Sequence, residues 1–290
     1  MPAAVTHLFE NSAEERETFR AKFDKDAFLL NHTIHEHPLF TLPALKKLAD
    51  KLAAYKKPKG YLKLANSSTN LEWGSAEFCK VLHQAFDDIE SSRLRLKLSS
   101  IHSEPEYKEF LDECTKEFSE LAGTDLTEEY ETSIATLFIA SPNEITTFHV
   151  DGEANFLLQL YGSKLVYIFD GKDRELLSWP EIERYWHGDG NIFLKEGFES
   201  RAKEFPLTAG VGVHNPVHFP HWVKNGPSPS IALSIAYVPK DSPVDVLHAN
   251  HFLRKLGINP TPPGTKHGLD KTKRGIIAGA RSLRRVLKPS

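Results

Sequence analysis

Short segments rich in β-branched and aromatic residues follow one another in the second half of the chain, and turn residues separate them. These segments are 132–140, 146–150, 154–161, 164–169, 211–219 and 230–237. Segments of this length between Gly, Pro and Asn predict strands. Because a series of such strands can bury its apolar face only against another sheet, it predicts a β-barrel or a sandwich. The sequence therefore predicts a mainly β core over about residues 130–240.

The two ends of the chain have helical rather than alternating patterns. Apolar residues recur every three to four positions in three N-terminal stretches, which are 43–55, 75–90 and 104–122. A short strand is predicted at 60–65, and a basic amphipathic helix at Lys271–Leu287. The chain is thus predicted to have three parts: a helical region at 1–129 that packs on the core, the core at 130–240, and a basic extension at 241–290.

Composition limits the cellular setting of the protein. The two cysteines, Cys79 and Cys114, have no metal-type spacing and cannot build a disulfide framework. No apolar run reaches the roughly 18 residues that a membrane span needs. The N-terminus lacks the basic and then apolar order of a secretory signal. These features predict a cytoplasmic protein.

Positive charge is concentrated at the C-terminus. Residues 251–290 contain ten Lys and Arg and one acidic residue, Asp270, which gives a net charge of +9. Since the whole chain carries −3, residues 1–250 carry −12. A basic tail of this kind can contact nucleic acid, acidic lipid or an acidic partner, or it can pack as a solvated helix on the acidic body. The second interpretation is favoured.

His149 and Asp151 form the pattern that most strongly suggests chemistry. Alternate side chains of a strand point to one face, so an imidazole and a carboxylate at i and i+2 can reach the same ion. Two His and one carboxylate with open positions are typical of non-haem Fe(II) oxygenases. The second histidine should come from a late strand, where spacing alone does not choose among His214, His218 and His221.

The surrounding residues resemble the JmjC-type cupin oxygenases, and most closely the asparaginyl hydroxylases that act on hypoxia-inducible factor. That family has Thr-x-x-His-x-Asp-x-x-x-Asn-Phe, then an apolar run and Gly-x-Lys. The matching positions are Thr146, His149, Asp151, Asn155, Phe156, Gly162 and Lys164. The family's later Pro-x-x-x-x-His element matches Pro216 and His221. The resemblance covers about residues 130–240.

The resemblance implies a double-stranded β-helix (a cupin jelly roll) and a 2-oxoglutarate-dependent dioxygenase. The residues implied to hold Fe(II) are His149, Asp151 and His221. The residues implied to bind 2-oxoglutarate are Lys164, Thr146, Asn155 and Ser234. The expected reaction consumes O2, hydroxylates a C–H group, and releases succinate and CO2.

Two other classes of function remain compatible with the sequence. One is a non-catalytic cupin-like regulator whose basic tail contacts nucleic acid. The other is a metal-dependent cupin enzyme that does not use 2-oxoglutarate. The resemblance is also compatible with a homodimer. It does not identify the substrate, which could be a protein side chain, an amino acid or another small molecule.

Overall fold

The structure of the protein is a computed structural model that describes residues 7–64, 70–87, 89, 94–188 and 192–287. The chain forms two compact units. The first consists of Met1–Asp170 and Arg201–Lys240, and the second of Gly171–Ser200 and Asp241–Ser290. The three-part division at residues 129 and 240 therefore stays a prediction.

All described strands belong to the first unit and pair antiparallel. They are β1 Phe28–Asn31, β2 Gly60–Leu64, β3 Leu94–Leu98, β4 Tyr130–Ala140, β5 Ile145–His149, β6 Ala154–Tyr161, β7 Ser163–Ile168, β8 Lys203–Thr208, β9 Val211–Asn215, β10 His221–Asn225 and β11 Ser230–Pro239. One sheet has the order β1-β9-β6-β11-β4-β3-β2, and the other the order β5-β10-β7-β8. From β4 to β11 the chain changes sheet at every step except the β7–β8 hairpin, in which Ile168 lies opposite Lys203. This alternation is that of a jelly roll, so the predicted double-stranded β-helix is confirmed.

The two sheets of the jelly roll enclose a small apolar interior. In β7 and β10 every second residue is buried. Val166 and Val223 of the four-stranded sheet belong to the same hydrophobic cluster as Val213 of the seven-stranded sheet. Because alternate residues share a face, the inward positions of β7 and β10 can be read from these contacts.

Helices cover the outer face of the seven-stranded sheet. In the first unit they are α1 Ala13–Lys22, α2 Leu42–Ala53, α3 Ala76–Asp87, α4 Pro105–Ala122 and α5 Leu126–Glu129. Helix α4 begins with a proline and ends at Gly123, which has a positive φ of 75°, as helix termini favour. Its Phe118 ring stacks 4.0 Å from Phe156 of β6. The predicted helices of the N-terminal region are therefore present, but β1 and β3, which the sequence analysis did not predict, also lie there.

The second unit is helical in its described part. It contains α6 Trp179–His187, α7 Val244–Lys255 and α8 His267–Leu287. Glu183 of α6 is fully buried, and Arg254 of α7 donates to its carboxylate through Nε at 2.6 Å and Nη2 at 3.3 Å. Arg281 of α8 lies 2.7 Å from Asp245, so the basic helix packs on α7. None of the described helices is both long enough and apolar enough to cross a membrane.

Candidate metal centre

Three side chains converge at one end of the jelly-roll interior. His149 is the last residue of β5, Asp151 follows it by two positions, and His221 begins β10 opposite His149. One ligand atom from each of the three lies within 4.8 Å of the others. Asp151 Oδ2 is 3.6 Å from His221 Nε2, and the two imidazole rings are 4.1 Å apart. Two imidazoles and one carboxylate that meet at one point can hold a divalent transition metal and leave part of its coordination sphere open.

A β-bulge brings Thr146 to the same face as His149. In a regular strand, residues three positions apart point to opposite faces. Here His149 lies opposite His221 and Thr146 lies opposite Val223. The two pairs are therefore separated by three residues along β5 but by only two along β10. The extra residue in β5 restores the shared orientation. The Thr-x-x-His spacing is therefore compatible with two inward side chains only because the register shifts.

Backbone carbonyl groups orient both histidines. His149 Nδ1 lies 2.7 Å from the carbonyl oxygen of Thr147, and His221 Nδ1 lies 3.1 Å from that of Phe219. A carbonyl oxygen can only accept, so Nδ1 carries the hydrogen in each ring. The lone pair of Nε2 is then available to a metal, which is the usual role of such outer hydrogen bonds. The side-chain amide of Asn215 also lies against His221 Nδ1, at 3.1 Å.

The protonation state of His221 suits metal binding. Burial lowers the pKa of His221, the neighbouring His149 lowers it further, and the carboxylate of Asp151 opposes both effects. The imidazole is therefore neutral near pH 7, and a metal would not have to displace a proton from it. The backbone of Asp151 is fixed as well, because its carbonyl accepts a hydrogen bond of 3.0 Å from the N–H of His218.

Lys164 lies on the same inner face, far from the three converging ligands. It belongs to β7 and pairs with Asn225 of β10, four residues from His221, which corresponds to about 13 Å along a strand. The residue is 9% exposed, and burial lowers the pKa of its amine to about 8. Within the described part of the chain, this amine has no hydrogen-bond or ion-pair partner. A buried cation without a partner is costly, so this position favours a ligand with negative charge.

The remaining predicted site residues lie between the converging ligands and Lys164 or on the facing sheet. Thr146 is half-buried in β5 and lies opposite Val223. On the other sheet, Ser234 of β11 donates a hydrogen bond of 2.8 Å to the side-chain carbonyl of Asn155 in β6. Asn155 is the register partner of Asn215. These two polar side chains therefore lie on the part of the seven-stranded sheet that reaches the His221 end of the interior.

The other two histidines of the late segment have different positions. His214 is fully buried on the opposite face of β9, where its Nε2 accepts from the N–H of Asp24 at 3.0 Å and its ring lies 4.6 Å from Phe156. Burial lowers its pKa to about 3. His218 occupies the turn before β10 with a φ of 62°. The structure thus brings His221, and neither of the other two, to His149 and Asp151.

Two buried amides of the interior were not predicted. Asn215 contacts His221, and Asn225 faces Lys164 and donates 3.2 Å to the carbonyl of Ser141. Both occupy inward positions of strands. Asn225 follows His221 by four residues, so the period of two along β10 is the sequence signal that could have identified it.

Solved structures with a similar fold include a ribosomal oxygenase. No family model and no curated protein sequence matches the chain. An X-ray structure of ycfD from E. coli matches 98% of this chain and 70% of that chain, with a TM-score of 0.53 and 13% sequence identity. A crystal structure of the Escherichia coli ribosomal oxygenase YcfD matches 97% and 69%, with a TM-score of 0.50 and 10% identity. YcfD in complex with cobalt and 2-oxoglutarate matches 97% and 69%, with a TM-score of 0.50 and 11% identity. At this identity the likeness shows a shared fold.

Proposed function

We propose that the protein is a 2-oxoglutarate-dependent dioxygenase with Fe(II), and that it hydroxylates a C–H group of its substrate. The observation that carries this proposal is the combination of three converging metal ligands with a buried, unpaired lysine on the same inner face. The shared fold with an oxygenase crystallised with cobalt and 2-oxoglutarate supports it.

His149, Asp151 and His221 are the proposed iron ligands. Their donor set fits a divalent iron ion, because two imidazoles and one carboxylate balance only part of its charge and leave positions open for further oxygen ligands. When bound, iron and 2-oxoglutarate supply the oxidising chemistry, which uses O2 and yields succinate, CO2 and a hydroxylated product. The carbonyls of Thr147 and Phe219 hold the two rings in the tautomer that this role requires.

Lys164 is the proposed partner of the carboxylate of 2-oxoglutarate that is remote from the metal. Its amine needs an anion, and a carboxylate would form a charge-assisted hydrogen bond with it. The hydroxyl of Thr146, on the same face, is proposed to donate to that ligand as well. Asn155 and Ser234 are proposed to contact the cosubstrate from the facing sheet. Their mutual hydrogen bond holds the amide in one orientation.

The same lysine separates this function from the two alternatives. A buried cation without a partner has no role in a metal-dependent cupin enzyme that does not use 2-oxoglutarate. It has none in a non-catalytic cupin regulator either. In either case an apolar residue at position 164 would make the fold more stable. The cost of Lys164 therefore favours a function that supplies the carboxylate.

A protein substrate is the proposed substrate class, because the structural neighbour is described as a ribosomal oxygenase. An amino acid or another small molecule is the alternative substrate class. The cytoplasmic location stays a prediction from sequence, the homodimer stays a possibility, and contact of the basic tail with nucleic acid stays the interpretation that the sequence did not favour.

The test is an anaerobic titration of the metal-free chain with Fe(II) and then with 2-oxoglutarate, followed by absorption spectroscopy. We expect a visible charge-transfer band that requires both additions. His221→Ala should abolish metal binding and the band, whereas Lys164→Ala should keep metal binding and greatly weaken the response to 2-oxoglutarate.

Two matched variants control this experiment. His83→Ala removes an exposed histidine that pairs with Asp50, and Lys224→Ala removes an exposed lysine from the outward face of β10. Both should behave as the wild type. Bound iron without a band on addition of 2-oxoglutarate would exclude the proposed cosubstrate.

A further inference from the structure

Polar and aromatic side chains line one face of the sheet edge formed by β2, β3 and β4. On the opposite face, Leu62, Leu96 and Leu98 are fully buried in the hydrophobic core. The residues that alternate with these leucines are half-buried, and they are Tyr61, Lys63, Arg95 and Lys97. Tyr61 pairs with Lys97, which pairs with Phe138 of β4. Register partners share a face, so Phe138 belongs to the same surface.

One residue of this surface contacts the beginning of β5, the strand that leads to the candidate metal centre. Arg95 Nη2 donates to the carboxylate of Glu144 at 2.7 Å and to the carbonyl of Ile145 at 2.6 Å. Ile145 begins β5, and β5 ends at His149. The contact therefore joins β3, the neighbour of the edge strand β2, to β5, the edge strand of the four-stranded sheet.

Lys97 lies closer to the metal-ligand end than Arg95 does. Its Nζ is 5.7 Å from the centre of the Phe138 ring, a distance at which the cation interacts with the ring face. In β4, Lys97 pairs with Phe138 and Arg95 pairs with Ala140, and Phe138 is two residues from Thr136, the partner of Ser234. Lys97 is therefore nearer than Arg95 to Ser234, on the part of the seven-stranded sheet that reaches the His221 end.

Lys63 and Lys97 differ from Arg95 in having no carboxylate of their own. Within the described ranges, neither amine has a hydrogen-bond or ion-pair partner. The two lysines are diagonal neighbours across β2 and β3, because Lys63 pairs with Arg95 and Lys97 pairs with Tyr61. Diagonal neighbours are about 7–8 Å apart. Alternate side chains of an extended peptide are about 7 Å apart on one face, so the spacing matches acidic residues at positions i and i+2.

We propose that Tyr61, Lys63, Lys97 and Phe138, here called the lysine shelf, bind an acidic peptide segment of the substrate. This inference rests on the proposed function, because it places the residue to be hydroxylated next to a segment with alternating carboxylates. The aromatic rings offer apolar contact to the peptide backbone, and the two amines pair with its acidic side chains.

A nucleic acid is a poorer fit to the same surface. Its backbone charge is continuous, whereas the surface offers two separate amines, and the guanidinium of the neighbouring Arg95 already pairs with Glu144. Residues 1–250 also carry a net charge of −12, which opposes the approach of a polyanion. A short segment with two spaced carboxylates avoids most of this repulsion.

The test uses fluorescein-labelled nine-residue peptides and the full-length chain at low ionic strength. One peptide has Glu at alternate positions, and its control has Gln at the same positions. Fluorescence anisotropy should show that the Glu peptide binds at least tenfold more tightly. The double variant Lys63→Gln/Lys97→Gln should bind it about tenfold more weakly, as expected for two partly exposed ion pairs. The matched double variant Lys224→Gln/Lys203→Gln should bind it as the wild type does.

Three outcomes would overturn the proposal. The first is equal binding of the Glu and Gln peptides, and the second is unchanged binding of the Glu peptide by the lysine-shelf variant. The third is an oligouridylate that binds more tightly than the Glu peptide, competes with it, and no longer binds to the lysine-shelf variant. The absorption titration with Fe(II) and 2-oxoglutarate is repeated on the lysine-shelf variant and should be unchanged. Absence of the band in the wild type would refute the proposed function. The peptide measurement would still show whether the lysine shelf binds an acidic peptide.

Discussion

Replacing Lys164 by methionine should make the metal-free protein more stable at pH 7. Methionine has a similar length and no charge, so it fills the same inward position of β7 without a buried cation. The opposite is expected of a substitution at most buried positions, where removal of a native side chain destabilises the fold. The sign of the effect is therefore informative.

The magnitude follows from the pKa of the amine. A fall from 10.5 to about 8 corresponds to about 3 kcal/mol, at about 1.4 kcal/mol per pKa unit. Because the folded-state pKa lies below the unfolded one, the penalty is complete below pH 8 and disappears as the pH rises to 10.5. The variant should gain about 2–3 kcal/mol in the free energy of unfolding at pH 7, and about 1 kcal/mol at pH 10.

Equilibrium urea unfolding at the two pH values, followed by circular dichroism, measures this gain. The matched variant Lys224→Met, at an exposed position, should change the free energy of unfolding by less than about 0.5 kcal/mol. Addition of 2-oxoglutarate with a divalent metal should stabilise the wild type and have a much smaller effect on Lys164→Met. A variant that is less stable than the wild type at pH 7, or whose gain does not fall with rising pH, would refute the reasoning.

Other variants and reagents test the structure at separate points. Thr146→Val should raise the dissociation constant for 2-oxoglutarate about fivefold, as expected for one lost hydrogen bond of about 1 kcal/mol, and calorimetry should show unchanged metal binding. Gly162→Ala should cost about 3 kcal/mol or more in thermal unfolding, because φ is +71° and a Cβ there would overlap a carbonyl of the neighbouring loop. Gly188→Ala has a similar φ with open space around it and should cost about 1 kcal/mol; equal losses would contradict the steric argument. A thiol reagent should modify Cys79 in the native protein and reach Cys114 only after unfolding, because Cys114 is fully buried and burial raises its pKa.

The sequence predicted the centre of the jelly roll more completely than its edges. Strands β4 to β7 have β-branched residues between clear turns, and their bounds match the prediction closely. The predicted strand at 211–219 is instead β9 alone, because the chain turns at 216–220 before β10 begins. Strand β8 was not predicted, since its charged residues and Pro206 suit the sheet edge that it occupies.

The N-terminal strands depend on partners that are far away in the sequence. Leu94, Leu96 and Leu98 alternate with charged residues, which is a clear two-residue period that the sequence analysis did not use. Strand β1 has only four residues and is defined by its pairing with β9. Propensity cannot indicate a pairing between segments about 185 residues apart in sequence, as Phe28 and His214 are.

The candidate site shows the same division between local and non-local information. The positions of His149 and Asp151 follow from a two-residue spacing within one segment. The bulge that turns Thr146 inward, and the absence of a described partner for the Lys164 amine, depend on register and on packing across strands. No local pattern encodes either feature, so the family resemblance identifies these residues but their orientation follows only from the structure.

The buried pair of Glu183 and Arg254 restricts how the chain can be shortened. Removing residues 241–290 alone would delete Arg254 and leave the Glu183 carboxylate without its partner, on a face of α6 that α7 covers in the intact chain. The two segments of the second unit must therefore be deleted together. The fold permits this, because Ile168 and Lys203 face each other at the open end of the β7–β8 hairpin and a short turn can connect them. A minimal jelly-roll scaffold therefore requires that the 171–200 insertion be replaced by a turn and that residues 241–290 be removed.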